Sequence, residues 1–418
     1  MVATLGCGGG STRTDWLAPA PGCADDPAAL GTAQARARAW LRVVPFTPRV
    51  VQGAPPTPPA RHLAPTPDTP YAMVLSYPDG PARMRRRSYL YDAALAILWF
   101  GSTGEIETAR SLANTLILLQ NPDGSWGFFF DADGFYNLRY VRNGAVAWAA
   151  YALAWLDLRA AHPPARQAAQ AAIAYLAAQR VADPGARHAG LLLGGRGRWA
   201  VDEERFFPDF ELPVAITEHQ LDAYQAFSLL APRLADDLAA RVIEVLWLEG
   251  AGRFAVAADA RAVIDGASLD AAGAWGALWL EARGDVDRAR RSLRFTEATF
   301  RLPAPGVAAY RPALEGAEPP APSDLVFVEG SLGVGLAAWR LGDRATARGT
   351  LELATRFACH GGPGVPYANA ETPDFTTAPA AASTLWFLML AREATGGEPA
   401  PVFVSGLRAQ ARREEVRR

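Results

Sequence analysis

The chain has 418 residues, half of them hydrophobic, and a formal net charge of −2. All 41 residues in its lysine-plus-arginine count are arginine, and no lysine occurs. The absence of lysine excludes mechanisms that need a lysine amine, such as a Schiff base or a P-loop lysine. A near-neutral chain gives no electrostatic basis for binding nucleic acid or an anionic membrane. No stretch approaches the roughly 18 apolar residues of a membrane span, so we expect neither a nucleic-acid partner nor a span.

We expect the N-terminal segment, residues 1–27, to be a disordered tether. The LGC triplet that ends at Cys7, followed by GGGS, resembles the end of a bacterial lipoprotein signal, whose cysteine carries the lipid. The charged and apolar regions of such a signal are missing before it. The alternatives are therefore a trimmed lipoprotein, periplasmic or extracellular and anchored at Cys7, and an ordinary disordered start, which leaves a cytoplasmic location open.

The three cysteines are too few and too scattered for a disulfide framework or a Cys-rich zinc site. A Cys7–Cys23 bridge is an option in an oxidising compartment. We expect Cys359 to be a buried thiol. The pair Cys359-His360 resembles that of the lanthionine cyclases, but those proteins bind zinc through a further upstream cysteine that this chain lacks. We expect no metal and no cofactor.

Residues 28–84 are predicted to form an alanine-rich helix, over 28–43, and then a proline-rich segment, over 44–70. So much proline removes backbone donors and fixes extended geometry, so this segment should wrap or tether rather than form a core. From about residue 85 to 418, apolar residues recur at three- and four-residue spacing, which indicates a helical domain.

An internal repeat organises this domain. GEIETAR (104–110), GDVDRAR (284–290) and GDRATAR (342–348) each follow a helix that ends in tryptophan. Each predicts an inner helix, a glycine turn and an outer helix whose polar first turn suits its positive end. We expect six such hairpins, beginning near residues 88, 141, 215, 269, 324 and 378, and the last one is completed by either 28–43 or 403–416.

The spacing of the hairpins, about 50 to 75 residues, exceeds that of tetratricopeptide or ankyrin repeats. Six hairpins that close on themselves form an all-α (α/α)6 toroid, and the alternative is an open solenoid. Glycine and alanine in the inner helices favour closure, because close packing in an inner ring needs small residues.

Polar residues stand where the inner helices begin, which is the mouth of such a toroid. A carboxylate at a helix start is commonly a cap. Glu218 and Glu329 are weaker as caps, because each has a smaller neighbour that could serve, and a catalytic role is the alternative. The residues at these starts are Tyr91 and Asp92, Arg142 and Asn143, Glu218, His219 and Asp222, Asp270, Glu329, and Asp374.

Aromatic residues are concentrated in the loops between hairpins, over 121–144, 196–213 and 361–375. Planar rings beside carboxylates and arginines suit a sugar, whose C–H faces stack on aromatics while its hydroxyls bond to charged side chains. The alternative is that the rings pack the loops over the toroid mouth. Trp126, Trp199 and Tyr367 are the better surface candidates.

The hairpin count, the Tyr91-Asp92 and Thr217-Glu218-His219 motifs, Glu329-Gly330 and the loop QNPDGSW together resemble the six-hairpin glycosidase superfamily of bacterial polysaccharide metabolism. The resemblance covers about residues 85 to 395. It implies cleavage of a glycosidic bond in a bacterial poly- or oligosaccharide by two carboxyl groups, one acid and one base.

Carried onto this sequence, the resemblance implies Glu218 as general acid and Asp92 as base, with Glu329 and Asp270 competing for the second role. The substrate-binding residues that follow are Tyr91, Trp126, Arg142, Asn143, His219, Asp222, Tyr224 and Tyr367.

Other functions stay open. A polysaccharide lyase on this fold would use His219 or Tyr224 as base beside Arg142, and a non-catalytic glycan-binding or scaffold protein of an exopolysaccharide system would lack a working carboxyl pair. QNPDGSW also resembles the QW motif of triterpene cyclases, but only one copy occurs, and a structural turn is the better interpretation. Dispersal of Asp92, Glu218 and Glu329 over separate surfaces would contradict the hydrolase hypothesis.

Overall fold

The computed structural model describes residues 28–46, 69–82, 84–132, 139–200, 205–313, 322–360 and 362–404. Helices dominate these ranges, and a π-helical turn, Asp270–Ala274, runs directly into the eighth of them. The helices are α1 (Ala29–Trp40), α2 (Leu90–Ser102), α3 (Ile106–Leu119), α4 (Asn143–Ala160), α5 (Pro163–Ala178), α6 (Thr217–Leu230), α7 (Pro232–Leu246), α8 (Trp275–Ala282), α9 (Val286–Thr299), α10 (Val328–Leu341), α11 (Arg344–His360) and α12 (Ala381–Ala394).

Short antiparallel strands lie at the helix ends, in the sheets β1-β2, β3-β4, β5-β6-β7, β8-β11-β12 and β9-β10. Their bounds are β1 (Val43–Pro45), β2 (Ala72–Val74), β3 (Arg87–Tyr89), β4 (Phe129–Asp131), β5 (Val141–Arg142), β6 (Gly195–Ala200), β7 (Arg205–Leu212), β8 (Ala215–Ile216), β9 (Trp247–Leu248), β10 (Arg253–Phe254), β11 (Ala257–Ala258) and β12 (Val263–Ile264). Helices α2, α4 and α6 each begin at the residue after a strand, so pairing in these sheets fixes where each helix starts.

The inner helices form a closed ring. In the order α2, α4, α6, α8, α10 and α12, each packs against the next, and α12 packs back against α2. The predicted (α/α)6 toroid is therefore confirmed, and the open solenoid is wrong. Helices α3, α5, α7, α9 and α11 lie outside the ring, each against its preceding inner helix.

Helix α1 takes the sixth outer position, because it packs against both α11 and α12. Of the two segments expected to complete the last hairpin, the early one therefore does so, and residues 405–418 lie outside the described ranges. The start of the proline-rich segment is held by the pairing of β1 with β2. Residues 47–68 are not described.

Inner and outer helices differ in how their residues are buried. Helix α4 is buried on all sides from Asn143 through Asp157, as a helix surrounded by protein must be. The outer helix α9 buries only Ala289, Ser292, Leu293 and Thr296, which lie on one stripe at helical spacing. The pattern of buried residues therefore distinguishes the inner helix α4 from the outer helix α9.

Three of the inner-to-outer turns depend on glycine, as the repeat predicted. Gly104, Gly284 and Gly342 have φ angles of 86°, 82° and 90°. In this left-handed region only glycine avoids a steric penalty. The glycine common to the three repeats therefore allows the chain to reverse direction between the layers.

The cysteines depart from expectation. Cys359, near the end of α11, is disulfide-bonded, so the prediction of a buried free thiol is wrong and Cys359 is not a zinc ligand. The other cysteines of the sequence, Cys7 and Cys23, lie outside the described residues, as do the tether 1–27 and the possible lipid anchor. Within the described ranges, no helix combines the length and hydrophobicity needed to cross a membrane.

Glycines on α10 let it approach its neighbours closely. A Cβ at Gly333 would lie 2.9 Å from the Cβ of Ala274, and one at Gly335 would lie 1.9 Å from Thr350 Oγ1 and 2.9 Å from Leu390 Cδ2. These contacts join α10 to the neighbouring inner helices and to its own outer helix. Small residues are therefore a steric requirement of the closed ring.

We predict that Gly335→Ala lowers the free energy of unfolding by about 1–3 kcal/mol, because the added methyl group overpacks the contact with the buried Thr350. Urea unfolding followed by circular dichroism measures this loss. Gly31→Ala on the outer helix α1 is the control, since a Cβ there meets nothing within 4 Å. Equal stability of the two variants would contradict the close-packing argument.

Candidate active site

A cavity of about 820 Å³ opens at the end of the ring where the inner helices begin. Five carboxyl groups from four of these helix starts line it together with two predicted polar partners and two tyrosines. These residues are Asp92, Glu218, Asp222, Asp270, Glu329, Arg142, His219, Tyr91 and Tyr367. All four residues predicted to be catalytic therefore converge on one cavity, and the dispersal that would have contradicted the hydrolase hypothesis does not occur.

One group of carboxyls lies at the starts of α2 and α10. Burial raises the pKa of Asp92 to about 7, and a hydrogen bond with Ser76 limits the rise. Burial and the nearby charge of Asp92 raise the pKa of Glu329 to about 8, while a hydrogen bond with Tyr91 opposes this. Asp92 therefore ionises before Glu329 as the pH rises. Tyr91 is held in place because its hydroxyl accepts a 2.7 Å hydrogen bond from the Trp386 indole.

The second group lies at the starts of α6 and of the π-helical turn. Burial raises the pKa of Glu218, although its carboxylate accepts a 3.0 Å hydrogen bond from Ser268 Oγ. Burial and the charge of Glu218 raise the pKa of Asp222 well above its usual range, and a hydrogen bond with Trp148 opposes the rise. Asp270 behaves likewise, through burial and the charges of Glu218, Glu329 and Asp222. Two oxygens in this group, Asp222 Oδ1 and Asp270 Oδ1, have no hydrogen-bond partner in the part of the chain that the structure describes.

The π-helical turn sets the position of Asp270. Such turns occur mostly at functional sites, where they displace a side chain from its regular helical position. A Cβ at Gly276, the second residue of α8, would lie 2.0 Å from the carbonyl oxygen of Ala271. Glycine therefore allows the backbone of this turn to fold back on itself while Asp270 lies at the cavity wall.

His219 is a neutral imidazole at physiological pH, because burial and the nearby charge of Arg142 lower its pKa to about 4. It packs against the start of α4, where a Cβ at Gly144 would lie 2.4 Å from His219 Cδ2 and 2.9 Å from Asp222 Oδ2. Gly144 thus leaves the space that both side chains occupy.

Arg142 is anchored to the protein backbone. Its Nη1 donates to the carbonyl oxygens of Val141, Arg196 and Gly197 at 3.0 to 3.1 Å. Its guanidinium also lies 4.3 Å from the centre of the Tyr140 ring. The charge is fixed at the cavity wall, and Nη1 is already used in holding β5 to β6.

Aromatic rings form much of the remaining wall. Tyr367 and Phe375 stack with their ring centres 5.5 Å apart at an interplanar angle of 21°, and Phe327 meets both edge-on. Burial raises the pKa of Tyr367 well above its usual range, so its hydroxyl stays protonated. Beside these rings, the exposed side chains of Glu371 and Asp374 lie at the mouth of the cavity. The wall can therefore stack against an apolar face while the floor bonds polar groups.

Three residues predicted to bind substrate lie away from the cavity lining. Trp126 is 1 % exposed and donates to the Leu116 carbonyl at 2.6 Å, so its ring packs the QNPDGSW turn. The Asn143 amide donates to the Leu193 carbonyl and its oxygen accepts from Tyr175, which leaves it a structural residue. Tyr224 packs edge-on against Trp279. The sequence predicted roughly where in the fold these three residues lie, but not the direction in which their side chains point.

The QNPDGSW segment is a turn that fastens α3 to α5. The Gln120 amide donates to the carbonyl oxygens of Gly124 and Ala168. Gly124 has a φ of 91°, and a Cβ there would lie 2.3 Å from the Ala171 carbonyl oxygen. The structural interpretation of this motif is the one that the geometry supports, and it does not contribute to the cavity.

Several lining residues were not expected from the sequence. Trp148 and Trp275 lie on the inner helices α4 and α8, and Tyr77 lies between β2 and β3. Behind the lining, Ser76 and Ser268 bond to the carboxyls of Asp92 and Glu218. Ser268 could have been suspected, since it stands two residues before Asp270. No sequence pattern marked Tyr77, because it lies between β2 and β3, before the first helical hairpin. Among the described residues, no three His, Cys, Asp or Glu side chains come together as a metal site would require.

No family model and no curated protein sequence matches this chain. Solved structures do. A D-mannose isomerase superposes with a TM-score of 0.58 and 12 % identity, over 89 % of this chain and 98 % of that one. The chain is an (α/α)6 toroid. The cellobiose 2-epimerase of Bacillus thermoamylovorans gives a TM-score of 0.55 with 9 % identity, over 77 % of this chain and 92 % of the epimerase. A GH76 α-mannanase of Bacteroides thetaiotaomicron gives 0.51 with 13 % identity, over 88 % and 94 %.

We predict that Ser268→Ala raises the pKa of Glu218 further, because the hydroxyl that stabilises the ionised carboxylate is lost. A titration of side-chain carboxyl signals by carbon-13 NMR, assigned with Glu218→Gln, measures the change. Ser268→Thr retains the hydroxyl and serves as control. An unchanged or lowered pKa in Ser268→Ala would show that this hydrogen bond does not control Glu218.

Proposed function

We propose that this protein is a glycoside hydrolase that cleaves a poly- or oligosaccharide by carboxyl acid–base catalysis. The observation that carries the proposal is the convergence of Asp92, Glu218, Asp222, Asp270 and Glu329 on one aromatic-walled cavity. Cleavage of a glycosidic bond needs one carboxylic acid that protonates the leaving oxygen and a second, ionised carboxylate. Buried carboxyls whose pKa values are pushed apart supply both forms at one pH.

In this proposal Glu218 is the general acid and Asp92 the base. Glu218 is partly exposed to the cavity that it lines, so its carboxyl can reach the leaving oxygen of a bound glycan. Asp92 and Glu329 line the same cavity, and the charge of one ionised carboxyl favours the protonated form of the other. In this proposal Asp92 is the ionised member of the pair. Glu329 and Asp270 then act as neutral neighbours that position substrate.

The charge of the cavity argues against a lyase that acts on uronates. Such a reaction needs cationic groups that neutralise the substrate carboxylate. Arg142 is the one arginine among the described lining residues, and its Nη1 is bonded to backbone carbonyls. The carboxyl-bearing lining residues are Asp92, Glu218, Asp222, Asp270, Glu329, Glu371 and Asp374. The described lining therefore offers a uronate a single cationic side chain, and we propose a substrate without anionic groups.

A sugar isomerase or epimerase is the second candidate. It is supported by the fold shared with a D-mannose isomerase and a cellobiose 2-epimerase, and by His219, a neutral imidazole on the cavity wall whose Nδ1 has no hydrogen-bond partner. A neutral imidazole can remove a proton from carbon. Incubation with free aldoses in D₂O separates the candidates. Epimerisation through an enediol would introduce deuterium at C2, isomerisation would introduce it at C1 of the ketose, and glycoside hydrolysis would introduce none on carbon.

The general-acid and base assignments predict the effect of two substitutions. We expect Glu218→Gln and Asp92→Asn each to reduce kcat by about 10²–10⁴-fold on a glycan that the unmodified protein cleaves. Reducing-end release from a panel of glycans measures the rate. Glu244→Gln, on the exposed side of the outer helix α7, is the matched control. Full turnover in both cavity variants would show that the carboxyl pair is misassigned, and no turnover of any glycan by the unmodified protein would favour the binding or scaffold alternative.

The pKa of Asp92 predicts the acidic limb of the pH profile. A base works only when ionised, so kcat/KM should rise with pH through an apparent pKa of about 7 and fall off below it. An Asp with its ordinary pKa would place this limb near pH 4, about three units lower. Steady-state rates from pH 4 to 9 measure the profile. Activity that remains level down to pH 5 would exclude Asp92 as the base.

A further inference from the structure

The cavity holds an excess of potential negative charge that the described part of the chain does not balance. Seven carboxyl-bearing side chains line it, against the single guanidinium of Arg142. The sequence contains no lysine, so no lysine ammonium group can enter the site. His219 remains neutral at physiological pH and contributes no charge.

The helix starts offset only part of this charge. Each helix N-terminus carries the equivalent of roughly half a positive charge, and the six inner helices all begin at the cavity end. The carboxyls outnumber that compensation. The remaining repulsion shows in the second group, where the charge of Glu218 raises the pKa of both Asp222 and Asp270. Without a cation, these carboxyls are neutralised by binding protons.

Two carboxyl oxygens in this group are left without a donor. Asp222 is only 5 % exposed and lines the cavity, yet its Oδ1 has no hydrogen-bond partner among the described residues, and neither has Asp270 Oδ1. Buried carboxylate oxygens that lack a donor are costly. A ligand group that both donates hydrogen bonds and carries positive charge would satisfy the oxygens and relieve the repulsion. A sugar hydroxyl would satisfy only the first requirement.

The surroundings of Asp222 suit an ammonium group on a sugar ring. The Trp148 indole bonds to Asp222, and both Trp148 and Trp275 line the same cavity. An ammonium beside aromatic rings gains a further cation–π attraction. Arg142 lines the same cavity, and its Nη1 donates to three backbone carbonyl oxygens of β5 and β6.

We propose that the cavity binds a sugar residue with a free, protonated amino group at the carboxyls of Asp222 and Asp270, so that the substrate is a glycan containing unacetylated amino sugars. The binding claim stands on the cavity alone, and its use as substrate rests on the proposed hydrolase function. Acetylation of the amine removes the charge, and the site should therefore distinguish the free amine from the amide.

The test compares sugars that differ only at one substituent. Isothermal titration of the full chain with glucosamine, galactosamine and mannosamine, each beside its N-acetyl form and its neutral parent hexose, cancels differences in ring stereochemistry. We expect at least one amino sugar to bind tenfold or more tightly than both of its partners. The proposal is overturned if no amino sugar binds more tightly than its neutral parent.

Variants locate the amine. Asp222→Asn should abolish the preference for the amino form, while Asp222→Glu, which keeps the carboxylate, should retain part of it, and Glu244→Gln should leave it unchanged. A thermal melt of each variant controls for folding. Retention of the full preference in a folded Asp222→Asn variant would contradict the assignment to this carboxyl.

Glycan turnover separates this inference from the proposed function. Cleavage of neutral glycans, lost in Glu218→Gln but without preference for amino sugars, would overturn only the amino-sugar inference. Tight binding of amino sugars with no cleavage of amino-sugar oligosaccharides would support the inference and overturn the hydrolase assignment.

Discussion

Closure of the inner ring is the constraint on which the rest of the structure depends. Because α12 packs back against α2, the six inner helices must begin around one common opening. Residues far apart in sequence, such as Asp92 and Glu329, are thereby forced together although no local interaction selects them. Closure in turn depends on small residues such as Gly333 and Gly335, where a Cβ would collide with a neighbouring helix. The glycines that make the ring possible and the carboxyls that meet in it are parts of one arrangement.

The electrostatics of the site follow from that geometry. Placing carboxyls at the starts of neighbouring helices in a buried ring both desolvates them and brings their charges close, and both effects raise pKa values. The positive ends of the helices and the hydroxyls of Ser76 and Ser268 oppose the rise. The balance differs from residue to residue: a hydrogen bond with Ser76 lowers the pKa of Asp92, whereas the charge of Asp92 raises that of Glu329. A site can therefore hold a protonated and an ionised carboxyl side by side when their hydrogen-bond partners and neighbouring charges differ.

The sequence carried enough information for the fold because the repeat is local. A repeat of only seven residues predicts the glycine turn that follows each tryptophan-ended helix. Gly104, Gly284 and Gly342 adopt the left-handed backbone that this repeat implied. The helix starts likewise predicted which carboxyls would meet. What the sequence could not give is side-chain direction. Asn143 begins α4 and Tyr224 lies in the middle of α6, but both bond or pack away from the opening. Trp126 packs beneath its own turn. Tyr77 reaches the cavity from an arm outside the repeat, where no periodicity marks it.

The lack of lysine gains a structural meaning once the cavity is known. Arginine is the chain's only long cationic side chain. The Nη1 of Arg142 donates to three backbone carbonyls, so this nitrogen stabilises the protein backbone. The carboxyls of Asp222 and Asp270 are consequently left to bind protons or a cation brought in from outside. Neutralisation by protons weakens as the pH rises toward neutrality, whereas a bound ammonium both neutralises and donates hydrogen bonds. The same buried carboxyls that make acid–base chemistry possible therefore also determine which ligands can bind on this side of the cavity.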